Sequence, residues 1–141
     1  MAMKLNPSDI PEVAMPFMQQ THLEEVAMLN ALYELFDKLA DGEDVPQLSG
    51  ELEALAAHTH AHFSREEEKM LALNFPPYPI HKHAHDEYLA EFDALLDDWR
   101  KSGDVAPVAD FLQNSTPDWM QQHIGCMDFV TANFFAMAEA G

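Results

Sequence analysis

Residues 62–70 read His62-Phe63-Ser64-Arg65-Glu66-Glu67-Glu68-Lys69-Met70. His62 and Glu66 are four apart, so on a helix they lie about 40° apart on one face. Leu52, Leu55, Met70 and Leu73 share much of that face. The imidazole and the carboxylate therefore sit on the apolar side of an amphipathic helix. An imidazole and a carboxylate at that spacing can bind one metal ion. Taken alone, most such pairs are solvated surface pairs.

Working outward, the periodicity predicts helices on both sides. Upstream, Val26, Leu29, Leu32, Tyr33, Phe36 and Leu39 step by three and four, which predicts a helix over 17–39 stopped by Asp41-Gly42. The central helix spans 48–73, and the Phe75–Pro79 stretch with its three prolines breaks it. A third helix opens after Pro79, carries the stripe Leu89, Phe92, Leu95, Leu96 and Trp99, and stops at Ser102-Gly103. A short helix or turn over 106–113 comes next. Thr116-Pro117-Asp118 then reads as the start of a last helix running to about residue 138, with Thr as the cap and Pro in the first turn. Residues 1–15 read as an extended arm, because Pro7, Pro11 and Pro16 block a continuous helix. No segment alternates as a strand. The expected fold is all-α, an up-down-up-down four-helix bundle over 16–141 preceded by the arm.

Composition bounds the function. Seven Lys and Arg stand against 25 Asp and Glu, a formal net charge of −18. That charge repels nucleic-acid phosphates and anionic lipid, and self-repulsion favours a monomer. The single Cys126 excludes an internal disulfide framework and reads as a small buried residue. The stretch 1–17 does not read as a signal peptide, and no apolar run is long enough to span a bilayer. A soluble cytoplasmic protein is expected, without nucleic-acid or membrane partners.

Eight histidines outnumber the seven Lys and Arg. His81 and His85 share one face of the third helix, a bidentate arrangement for a transition metal, while His83 and His60 face away. His22 is the lone imidazole candidate on the first helix. On the last helix Asp128 follows His123 by five, which on an α-helix places it about 140° round and about 7.5 Å along. That is not a same-face pair for one ion, and it suits a carboxylate reaching a second ion. Five imidazoles and two carboxylates exceed the needs of one metal. Two six-coordinate ions can use them, with bridging carboxylates, a solvent-derived bridge and one open position. The Glu-x-x-His motif of ferritin-like bundles and the zincin His-Glu-x-x-His are both absent.

These motifs resemble those of the hemerythrins, and more closely of the single-domain bacteriohemerythrins, over about residues 17–138. His62-Phe63-x-x-Glu66-Glu67-x-x-Met70 is similar to the family's HFxxEExxM. His81-x-x-x-His85-x-x-Tyr88-Leu89 is similar to HxxxHxxFL, and Trp119-x-x-x-His123-Ile124-x-x-x-Asp128 to WxxxHIxxxD. His22 followed by Asn30 matches the first-helix pattern. The resemblance implies two iron ions: His81, His85 and His123 on one, His22 and His62 on the other. Glu66 and Asp128 would bridge them with an oxo or hydroxo group. It implies dioxygen as the ligand of the second iron, inside a pocket of Phe63, Tyr88, Trp119, Met120 and Ile124. A reductase is the implied partner after autoxidation.

One position departs from the pattern. Glu25 stands where the family usually carries a bulky apolar residue, three after the first-helix histidine. It can reach solvent, deliver protons to bound oxygen or peroxide, or occupy the open position, and a buried Glu25 would need a partner. His58, one turn before His62, is open to a hydrogen-bonding role or to partial exposure. The expected function is an oxygen carrier, store or sensor. The alternative is a di-iron redox enzyme acting on peroxide or nitric oxide, with Glu25 modulating the open site. With no output domain expected in the chain, storage, delivery or scavenging is favoured over signalling by fusion.

Overall fold

The computed structural model describes residues 5–140. Three helices come first, α1 (Pro16–Ala40), α2 (Leu48–Ala72) and α3 (Tyr78–Ser102), each of 25 residues and thus about 37 Å long. A fourth, α4, occupies residues 106–140. Among the described residues there is no strand. Short connections make sequential helices antiparallel neighbours, and α1 packs on α2, α2 on α3, and α3 on the start of α4. This is the expected up-down-up-down bundle.

The helix stops have identifiable chemistry. After α1, Gly42 takes φ 83°, and the amides of Gly42 and Glu43 donate back to the carbonyls of Leu39 and Lys38, both at 3.0 Å. After α2, Asn74 does the same at φ 54°, with Phe75 N–H donating to Met70 C=O at 2.9 Å. The chain is thus already turned before it reaches the prolines. After α3, Gly103 takes φ 76° and donates to Trp99 C=O at 2.8 Å. A Cβ on Gly103 would meet nothing within 4 Å, so Gly103→Ala carries only a conformational cost. We expect a loss of about 1–2 kcal/mol in urea unfolding, and an unchanged midpoint would remove this account of the stop.

The last quarter of the chain differs from expectation. Thr116 does not start a helix. It has α-helical angles, φ −63° and ψ −46°, inside a run that is helical from 106 to 140. Pro117 has no N–H and its ring crowds the preceding turn, which would kink a regular α-helix. Here the turn before it, Phe111–Ser115, is wound as a π turn, and Thr116 N–H donates to Phe111 C=O five residues back. The Thr116 hydroxyl pairs instead with Tyr88 OH across the bundle, at 2.9 Å. A second π turn, Ile124–Asp128, follows.

Packing fills the space between the helices. Leu29, Leu32 and Tyr33 of α1 meet Leu52 of α2, Phe92 and Leu96 of α3, and Leu112 and Phe135 of α4 in one core. Tyr33 OH donates to Leu112 C=O at 2.6 Å, so the phenol is satisfied where it is buried. Its burial pushes that phenol up beyond the usual tyrosine range.

Residues 5–15 are packed along the bundle. The prolines do block a continuous helix, leaving a single 3₁₀ turn at Pro7–Asp9, and Leu5, Ile10, Val13 and Met15 are buried. Asn30 holds the backbone of Leu5 at both ends: its amide nitrogen donates to Leu5 C=O at 2.8 Å, and its oxygen accepts from Leu5 N–H at 2.6 Å. Pro11 lies against Gly125, where a Cβ would come within 3.3 Å of its Cγ. Cys126, expected to be buried, is exposed, because it sits on the outer side of the second π turn. Among the described residues no helix is long and apolar enough to cross a membrane.

Candidate metal centre

Each helix delivers polar side chains to one buried point. These are His22 from α1, His62 and Glu66 from α2, His81 and His85 from α3, and His123 and Asp128 from α4. They form two groups, His81-His85-His123-Asp128 and His22-His62-Glu66-Asp128. Within each group the candidate ligand atoms all lie within 4.8 Å of one another.

The two carboxylates face both groups. Asp128 Oδ1 lies 2.9 Å from His81 Nε2 and 3.0 Å from His123 Nε2, while Oδ2 accepts from His22 Nε2 at 2.9 Å. Glu66 Oε2 lies against His62 Nε2, and its Oε1 stands 3.5 Å from His85 Nε2 and 3.6 Å from His81 Nε2. Each carboxylate thus turns one oxygen to each group.

The second π turn makes this possible and corrects the α-helical expectation for Asp128. A π turn closes five residues back, and Phe129 N–H donates to Ile124 C=O in that way. Asp128 therefore returns to the side of His123 instead of lying about 140° away, and both reach the same group.

Hydrogen bonds behind the rings orient three of the imidazoles. His81 Nδ1 pairs with Thr131 Oγ1 at 2.8 Å, His85 Nδ1 donates to Glu67 Oε2 at 2.9 Å, and His62 Nδ1 donates to Glu25 Oε1 at 2.8 Å. In His85 and His62, where Nδ1 donates to a carboxylate, the Nε2 lone pair is offered to the centre. Thr131 follows Asp128 by three on α4, a spacing that could have pointed to it. Glu67 matched a motif from which spacing alone yields no role.

The donor set fits metal cations. Glu66 Oε1, Asp128 Oδ1 and His85 Nε2 are buried and have no hydrogen-bond partner among the described residues. Leaving such groups unpaired costs about 1–3 kcal/mol each. His81 Nε2 and His123 Nε2 face each other at 3.1 Å. A proton on both would set N–H against N–H, whereas a shared cation satisfies both lone pairs. Burial pushes the Asp128 carboxyl up, but the neighbouring His123, His22 and His81 imidazoles hold it well below the usual range. Burial and Asp128 push Glu66 up, and His62 and His85 outweigh them. Both carboxylates are thus ionised at neutral pH.

Aromatic rings cover the imidazoles. Phe63 stacks on His85 at 3.9 Å, nearly parallel, and Trp119 stacks on His123 at 4.3 Å. Tyr88 lies on Trp119 at 4.4 Å, and Met120 and Ile124 are buried on α4. His60 and His83 are exposed, as expected, beside Asp93 and Glu87.

Glu25 is buried, which removes the solvent role. Its carboxylate lies on the outer nitrogen of His62 and belongs to neither group. The partner that a buried Glu25 requires is double, because His58 Nδ1 also donates to Oε1, at 3.2 Å. Burial alone would raise Glu25, but the charge of His62 and hydrogen bonds from His58 and His62 bring it down to about 2.

Fold and site together define a helical-bundle protein whose core carries two His/carboxylate groups suited to a di-metal site. The chain belongs to the hemerythrin family: the family profile described as "Hemerythrin HHE cation binding domain" matches residues 14–134. A bacteriohemerythrin of Aquifex aeolicus (strain VF5) is 32% identical over 130 residues, covering 92% of this chain and 96% of that protein. One from Ralstonia nicotianae (strain ATCC BAA-1114 / GMI1000) is 33% identical over 105 residues, 72% of each chain. A myohemerythrin of Sipunculus nudus is 31% identical over 96 residues, 68% of this chain and 72% of that one. No solved structure matches significantly.

Proposed function

We propose that the chain is a non-heme di-iron protein that binds dioxygen as a carrier, store or sensor. The observation that carries this reading is the pair of buried groups sharing Asp128, with Glu66 also turned to both. His81, His85 and His123 would hold one iron and His22 and His62 the other, with Glu66, Asp128 and an oxo or hydroxo group between them. Nitrogen and oxygen donors without sulfur suit iron, and seven of them exceed the four of a structural zinc site. When bound, the iron pair supplies the electrons for reversible dioxygen binding.

The remaining tasks fall to the chain itself. The second group has one imidazole fewer than the first, which leaves a place for a small ligand there. Phe63 and Trp119 cover His85 and His123, and with Met120 and Ile124 they keep water from the imidazoles. In this reading the domain over 16–141 holds the metals and 1–15 is the arm, whose described part, 5–15, lies along the bundle. The bacteriohemerythrin and myohemerythrin relatives support the same reading.

The test is metal analysis and an optical spectrum on one sample, reduced without air and then exposed to oxygen. Two irons per chain and a visible charge-transfer band that reverses under vacuum are expected. Fewer than two irons would overturn the ligand assignment. Direct passage to an oxidised form, with many turnovers of added peroxide, would favour a redox enzyme instead.

A further inference from the structure

We infer that Glu25 and His58 form a brace behind His62, which positions that imidazole for its metal and links it to the protein surface at Glu24. The inference rests on the di-metal reading above. It assigns Glu25 a place that acts through a ligand instead of at the open position.

The brace is a continuous chain of contacts between α1 and α2. His62 Nδ1 donates to Glu25 Oε1 at 2.8 Å, and His58 Nδ1 donates to the same oxygen at 3.2 Å. His58 Nε2 lies 3.2 Å from Glu24 Oε1. Exposure rises along this chain: the Glu25 side chain is 9% exposed, His58 21% and Glu24 49%. Two imidazoles thus hold one buried carboxylate in a single orientation, and that carboxylate fixes which nitrogen of His62 carries the proton. An anionic acceptor also makes the opposite nitrogen a stronger donor to metal.

In the group His22-His62-Glu66-Asp128 there are only two imidazoles, and His22 Nδ1 is buried without a partner among the described residues. His62 is therefore the one imidazole of that group seen with an anionic support. The metal with fewer imidazoles depends more heavily on it. Removing the support should weaken that metal selectively and leave the His81-His85-His123 group unchanged.

The experiment compares wild type with Glu25→Leu, Glu25→Gln and His58→Ala. Cobalt(II) binding is followed by chelator competition, and the reduction potential is measured after iron loading. In Glu25→Leu the first metal should bind as in wild type and the second about 10–100-fold more weakly. The potential should rise, because a less basic imidazole stabilises the ferric state less. Glu25→Gln keeps an acceptor without the charge and should recover part of both effects. His58→Ala, at a partly exposed position that touches His62 only through Glu25, should give a smaller loss in the same direction, which guards against a folding failure in Glu25→Leu. The brace is overturned if Glu25→Leu matches wild type in both readouts, if it weakens both metals equally, or if Glu25→Gln recovers nothing. A wild-type chain that takes up fewer than two metals overturns the di-metal reading and the brace with it. Two metals in wild type and an unaffected Glu25→Leu overturn the brace alone.

Discussion

Asp128→Ala is expected to empty both halves of the centre, whereas His81→Ala empties one. Asp128 sets Oδ1 beside His81 and His123 and Oδ2 on His22, so its loss strips an oxygen from each group at once. His81 contributes to the first group only. The affinity loss in Asp128→Ala should exceed the ~10–100-fold typical of a supporting residue. Metal analysis after dialysis reads this directly, and Asp128→Ala chains that retain two metals would refute the shared-carboxylate assignment. Circular dichroism should stay helical, because the π turn is closed by backbone bonds and anchored by buried Thr131, Ala132 and Phe135.

The second large effect lies away from the metals. Phe92 is fully buried on α3, with ring contacts to Tyr88 at 6.1 Å and Phe111 at 5.9 Å. Phe92→Ala leaves a cavity that close-packed helices fill only partly, at a cost of about 3–5 kcal/mol. For a chain of this size that lowers the thermal midpoint by roughly 10–20 °C. The folded fraction should still carry both metals, since Phe92 touches neither group. Equal loss of metal and stability would show that the centre and this end of the core are one unit.

Much of this architecture was legible because apolar spacing and stop chemistry agree. In α1 to α3 the stripes, Gly42 and Gly103 set the spans to within a residue or two. His62, Glu66, His81 and His85 lie on apolar faces at helical spacing, so they too were readable. α4 was less so, for a physical reason. Thr116-Pro117-Asp118 has the composition of a helix start, but tertiary packing carries the helix through it by a π turn. Nothing in composition marks a π turn, so the position of Asp128 and the exposure of Cys126 stayed hidden. The Glu25–His58 and His81–Thr131 contacts join different helices, and periodicity within one helix cannot show them.

The second π turn also sets the phase of everything after it. Continuing the α spacing from His123 would bury Met127 and Val130, yet Val130 is 53% exposed while Asp128, Thr131 and Phe135 are buried. The two stretches of α4 are therefore written in registers offset by one residue, and the π turn is the splice between them. Deleting exposed Cys126 would remove that extra residue and rotate the distal stretch by about 100°. Asp128 and the last layer of the core would be mis-set in one stroke. Any change in chain length between His123 and Asp128 is thus a change to both chemistry and packing.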